Sequence, residues 1–140
     1  MKRSLIYSLI LLIISFILIF FNFNLIPKNI SFDEIAFTRL ALSLNNSNYI
    51  PYSSLATGHS TLYFYIILLS FKIFGVSNFA LRLPSAIFGT LSILVFFVIL
   101  KNVFNEVSKP YYSFIGAFIL ITSRWFINFS RFSFEATFLL

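Results

Sequence analysis

The chain contains no cysteine, one histidine and only four acidic residues among its 140. Without cysteine there is no disulfide and no thiolate metal site, and the redox compartment stays open. The four glycines form no phosphate-cradling loop, and one histidine cannot supply a two-histidine zinc motif. Charge is the most telling shortage. Charged residues make up 10% of the chain, whereas a soluble domain carries about a quarter. Hydrophobic residues reach 59%, aromatic residues 21% with 21 Phe, and mean hydropathy is +0.95. This composition excludes water-soluble, disordered and fibrous classes. What is there instead is a series of long apolar runs. They point to an all-α polytopic membrane protein.

The formal net charge is +6. A basic balance can mean nucleic acid, but Lys2, Arg3, Lys28, Lys72, Arg82, Lys101 and Lys109 stand at the edges of apolar runs. That is the placement of membrane-flanking charge, so no nucleic-acid partner is expected. The opening Met1-Lys2-Arg3 resembles a signal peptide. Its apolar run is longer than a signal core, however, and has no small-x-small cleavage site before Pro27. The expectation is a retained first helix with a cytoplasmic N-terminus.

Along the chain, a transmembrane helix is predicted over residues 5–26, about 33 Å long against a hydrocarbon core of roughly 30 Å. Residues 27–60 form an extracytoplasmic loop. Within it Ser31 and Glu34 make a capping box, opening a short amphipathic helix against the membrane surface. A short membrane helix follows at 61–75, about 21 Å long and too short to span. Two further spans are predicted at 83–101, with Pro84 in its first turn, and at 111–129. The next helix starts at 132–140. The final Ala136-Thr137-Phe138-Leu139-Leu140 lies inside an apolar run, which gives the expectation of a piece of a longer protein.

The few charged residues can be weighed singly. Asp33 and Glu34 are adjacent, so they cannot form the two opposed carboxylates that flank a sugar bond in hydrolases. On a helix they point about 100° apart, and one can face a substrate while the other caps or pairs. The plainer reading is a solvated helix start, where acids favour the positive end of the dipole. Glu135 stands in an apolar run four residues after Arg131, either as its ion-pair partner or as a functional group. His59 suits a ligand, a hydrogen-bond donor to phosphate or an interfacial polar residue. Arg39 and Arg82 are natural phosphate partners, although arginines at helix ends also snorkel routinely.

Taken in order, the residues carry a resemblance. They are Asp33-Glu34, Gly58-His59-Ser60-Thr61-Leu62-Tyr63, Gly75-Val76-Ser77, Ala80-Leu81-Arg82-Leu83-Pro84-Ser85, Arg124-Trp125-Phe126 and Ser130-Arg131 with Glu135 behind. This series resembles the N-terminal part of the GT-C glycosyltransferases. More narrowly it is similar to the protein O-mannosyltransferases and the bacterial aminoarabinose transferases of lipid A.

The resemblance implies a GT-C-type transmembrane helix bundle in the plasma membrane. It implies transfer of a sugar from a polyprenyl-phosphate donor to an extracytoplasmic lipid, glycan or protein acceptor. Asp33 matches the catalytic carboxylate, and Glu34 completes its motif. His59 and Glu135 match cavity-lining positions where a divalent metal ion is sometimes held. Arg131, with Arg82 and Arg39, would neutralise the leaving phosphate. Two positions depart from the pattern: Ser60-Thr61 replaces a proline pair, and Glu135 replaces an aspartate. If 61–75, 83–101 and 111–129 all spanned, Asp33 and Glu135 would face opposite sides, so 61–75 is expected not to cross. Two other readings remain: a non-enzymatic transporter or flippase-like protein, and an inactive relative that scaffolds others.

Overall fold

The computed structural model describes residues 2–46, 49–52, 61–104 and 110–139. Within them the regular elements are helices: α1 (Lys2–Phe20), α2 (Phe32–Ser43) running into a 3-10 turn (Leu44–Asn46), α3 (Leu62–Phe74), α4 (Asn78–Val103), α5 (Pro110–Thr122), α6 (Arg124–Arg131) and α7 (Ala136–Leu139). The all-α expectation stands at that level.

Helix α4 is the axis of the fold, and α1, α3, α5, α6 and α7 all pack against it. At 26 residues it is long and apolar enough to cross a membrane, measuring about 39 Å. Its start corrects the sequence reading. Ser77, in extended conformation, accepts from the Ala80 N–H at 3.2 Å and caps the helix there. Pro84 therefore lies in the helix interior and not in its first turn. Proline has no N–H for the carbonyl four residues back. The Ser70 hydroxyl takes over, donating to the Ala80 carbonyl at 2.7 Å.

Two other spans also differ from expectation. Helix α1 ends at Phe20, well before residue 26. Asn22 adopts a φ of 49°, and the Leu25 and Ile26 N–H groups turn back to its carbonyl. The apolar run goes on, but the backbone leaves the helix. The predicted 111–129 span is two helices, α5 and α6, bent by 62°. Ser123 is extended between them, and its N–H turns back to the Leu120 carbonyl. The break falls at Thr122-Ser123-Arg124, where the apolar run of α5 gives way to the more polar α6. The pair passes as one broken span.

Two clusters of buried side chains hold the elements. With the partly buried side chains packed on each included, Leu11 and Ile19 of α1, Ala86, Ile93 and Phe97 of α4, Ala117 and Ile121 of α5 and Phe126 of α6 belong to the larger one. On α1, Leu11, Ser15 and Ile19 recur every fourth residue as a buried stripe, while Leu5, Leu9 and Ile13 stay exposed. Helix α6 approaches α4 closely at Gly89, where a β-carbon would lie 2.3 Å from the Ser130 hydroxyl oxygen. The smaller cluster joins α2 and α3 to the first turn of α4 through Leu40, Leu44, Phe64, Ile67 and Leu81.

Helix α2 is not amphipathic in the expected sense. It exposes Phe32, Ile35 and Leu42 and buries Glu34 together with Leu40 and Ala41. Its buried side joins Phe37, Leu40, Ala41 and, in the turn that follows, Leu44 to the Glu34 carboxylate.

Candidate functional site

The capping box at the start of α2 is formed. Ser31 is extended, its hydroxyl accepts from the Glu34 N–H at 3.2 Å, and Glu34 Oε2 accepts from the Ser31 N–H at 3.0 Å. This local motif points the Glu34 side chain back over the helix start and into the protein, where it is 1% exposed.

There the same carboxylate meets two distant segments. Arg82 Nε donates to Oε1 at 2.7 Å and Nη2 donates to Oε2 at 2.9 Å. The Ser133 N–H donates to Oε1 at 3.1 Å. With Ser31, each carboxylate oxygen accepts two hydrogen bonds, which fills the four lone-pair positions of a carboxylate. Burial alone pushes the Glu34 carboxyl up. The Arg82 hydrogen bonds, the Ser31 and Ser133 N–H groups and the Arg82 charge outweigh it and hold the group below its ordinary 4.5. With all four lone-pair positions filled by N–H donors, Glu34 has none left for a substrate proton.

Arg82 is equally engaged. Nη1 donates to the Pro27 carbonyl at 2.7 Å, Nη2 also donates to the Asn29 carbonyl at 3.0 Å, and the guanidinium carbon lies 5.5 Å from the Phe132 ring centre. One buried arginine fastens the segment after α1, the start of α2 and the chain between α6 and α7 to the first turns of α4.

A second layer of polar contacts lies beside the pair. The Tyr63 hydroxyl is 2.6 Å from Ser85 Oγ and 3.1 Å from Ser133 Oγ, and the Phe134 N–H donates to Ser85 Oγ at 3.1 Å. All three hydroxyl-bearing residues are buried. The sequence reading assigns Tyr63, Ser85 and Ser133 no role. Their one signal is a hydroxyl inside an apolar run, where a buried polar group must find a partner.

The remaining candidates fall around this centre. Asp33 is exposed, next to Glu34 on the first turn of α2. Arg39 is exposed farther along the same helix. Arg131 is buried at the end of α6, its Nη2 donating to the Phe21 carbonyl at 2.6 Å while its Nε has no hydrogen-bond partner. Arg131 feels the Arg82 charge. Glu135 is half-buried in the turn before α7. His59 lies outside the described residues, as do Ser60, Glu106 and Lys109.

Among the described residues no group of three or more His, Asp or Glu converges. Both Glu34 oxygens are filled by N–H donors. Glu135 is half-buried in the turn before α7, and a single carboxylate does not make a donor set.

Residues 58–140 match a family described as dolichyl-phosphate-mannose-protein mannosyltransferase. No curated protein matches the chain. No solved structure matches it either.

Proposed function

The chain belongs to the dolichyl-phosphate-mannose-protein mannosyltransferase family, and on that premise we propose that it forms the acceptor-side part of a membrane glycosyltransferase active site. The donor is a sugar on a polyprenyl phosphate, and the acceptor is an extracytoplasmic hydroxyl. The observation that carries the reading is the Glu34–Arg82–Ser133 junction. It gathers the segment after α1, the start of α2, the start of α4 and the end of α6 on one level, with Asp33 exposed beside it.

In this reading the two adjacent acids divide the work. Glu34, saturated with donors, fixes the helix start. Asp33, about 100° around the same helix, presents a carboxylate that can take the proton of the attacking hydroxyl. Arg131, buried with an unpartnered Nε, and Arg39 supply positive charge for the phosphate that leaves with the polyprenyl chain. Arg82 is a positioning residue: its hydrogen bonds hold the acid-bearing loop, not the substrate.

The same contact supports a topology. Glu34 precedes α3 and Arg82 follows it, yet they touch, so α3 in this reading returns to the side it left. With a cytoplasmic N-terminus, α1, α4 and the α5–α6 pair cross the membrane, and the junction faces outward.

The test is transfer by the intact protein from a polyprenyl-phosphate sugar, with Asp33→Asn compared against wild type. A loss of about a hundredfold or more is expected of a general base. Unchanged transfer would sink the assignment.

One observation favours a second reading, a transporter or flippase-like protein. Transporters place substrate at helices broken within the membrane, and α5–α6 breaks by 62° with the exposed Arg124 starting its second half. Arg124→Gln abolishing lipid movement while sugar transfer is undetectable in wild type would favour it.

A further inference from the structure

At the end of α6 the chain leaves the helix at Phe132, which is extended with φ −95° and ψ 152°. A link of Phe132, Ser133 and Phe134 then joins Arg131, the last residue of α6, to Glu135 in the turn before α7. Polar backbone outside a helix needs partners from elsewhere when it is buried. Here they come from three other helices. The Ser133 N–H donates to Glu34 of α2 at 3.1 Å and the Phe134 N–H to Ser85 Oγ of α4 at 3.1 Å, while Ser133 Oγ lies 3.1 Å from the Tyr63 hydroxyl of α3.

Tyr63 closes these contacts into a circuit. Its hydroxyl is 2.6 Å from Ser85 Oγ, and Ser85 Oγ is placed to donate to the Phe134 carbonyl at 3.4 Å. Each hydroxyl has one proton. Within the circuit one arrangement gives all three an acceptor: Ser133 donates to Tyr63, Tyr63 to Ser85, and Ser85 to the Phe134 carbonyl. It begins and ends on the link, so it fixes the link against α3 and α4. The bonds between Glu34 and Arg82 use no atom of Tyr63.

Arg131 stands immediately before this link. It is 7% exposed, its Nε has no hydrogen-bond partner, and the Arg82 charge acts on it. Incomplete hydrogen bonding and a neighbouring like charge both disfavour a buried cation. Its surroundings keep it there, and the backbone that follows it is held by the circuit.

We propose that Tyr63 is a positioning residue of the transfer site, acting through Arg131. Its hydroxyl fixes the 132–134 link and so sets Arg131 against the phosphate that leaves with the polyprenyl chain. The inference rests on the glycosyltransferase reading above, and Tyr63 itself touches no substrate in it.

The intact protein is assayed for transfer from a radiolabelled polyprenyl-phosphate sugar, with rates taken per folded molecule and unfolding followed in parallel. Tyr63→Phe removes only the hydroxyl and is expected to lower kcat about ten- to a hundredfold. The donor KM should stay within about twofold, because the phosphate charge develops in the transition state. Ser133→Ala should give the same loss, and the double variant no more. In an Arg131→Gln background Tyr63→Phe should cost less than about twofold, since the group it positions is gone. Wild-type rates in Tyr63→Phe or Ser133→Ala overturn the proposal and leave the glycosyltransferase reading standing. A Tyr63→Phe loss of equal size with and without Arg131 means a purely structural role and also overturns it. A folded wild type that transfers no sugar overturns the reading and the proposal together.

Discussion

Glu34 and Arg82, 48 residues apart, meet in a two-point ion pair that is 1% exposed on both sides. Around it the capping N–H of Ser31, the N–H of Ser133 and the carbonyls of Pro27 and Asn29 complete the hydrogen bonds of both charges. A buried pair with its remaining groups satisfied tolerates removal of one partner badly, because the other is left as an unpaired charge.

Arg82→Ala and Glu34→Ala are each expected to destabilise the protein by about 3–5 kcal/mol. The double variant should cost clearly less than the two single losses combined, since it leaves no orphan charge. Arg82→Lys is not conservative here, because an ammonium cannot reproduce the two-point geometry. Thermal or denaturant unfolding in detergent measures all four proteins. Additive losses would show that the two side chains are not coupled.

The pair also sets an acid limit. In the unfolded chain a glutamate carboxyl titrates at about 4.3. In the folded protein, burial raises Glu34 but the Arg82 and backbone hydrogen bonds, with the Arg82 charge, lower it further. A depressed folded value stabilises fully above the unfolded one, and the contribution disappears as pH falls through the folded value. Stability should therefore decline below about pH 4.3. Glu34→Gln should be less stable at pH 7 and flatter across the acid range. Unfolding temperatures of wild type and Glu34→Gln from neutral to acid pH decide it, and a wild-type profile as flat as that of Glu34→Gln would overturn it.

Local signals were legible in the sequence and remote ones were not. Ser31 and Glu34, three residues apart, announce a capping box, and it is present. Nothing local says that the same carboxylate reaches Arg82 and Ser133, since its partners are fixed by how helices pack. Helices were legible as apolar runs, but their ends were not. Asn22 turns the chain while the run continues to Ile26, and Ser123 breaks the predicted 111–129 helix into α5 and α6. Pro84 misleads for a related reason: the helix starts earlier, at the Ser77 cap.

Gly89 tests the approach of α6 to α4. A β-carbon there would lie 2.3 Å from Ser130 Oγ and 2.5 Å from Ser130 Cβ. Gly89→Ala should destabilise by about 1–3 kcal/mol through overpacking. Ser130→Ala in the same chain should not rescue it, because the β-carbon clash remains. Ser130→Gly should recover much of the loss. Rescue by alanine would mean that the hydroxyl alone sets the contact.

Ser70 and Pro84 should prove interdependent although they do not bond to each other. In the native helix, residue 84 cannot donate to the Ala80 carbonyl, so Ser70 supplies the hydrogen bond. Ser70→Ala leaves that buried acceptor unsatisfied, at a cost of about 1–3 kcal/mol. Pro84→Ala restores an N–H at the position from which helices normally serve this carbonyl. In that background the hydroxyl is redundant, and Ser70→Ala should cost little beyond its lost packing. Unfolding of the wild type, the two single variants and the double variant forms a closed cycle. A Ser70→Ala penalty of equal size with and without proline would show that the hydroxyl does not replace the missing helical donor.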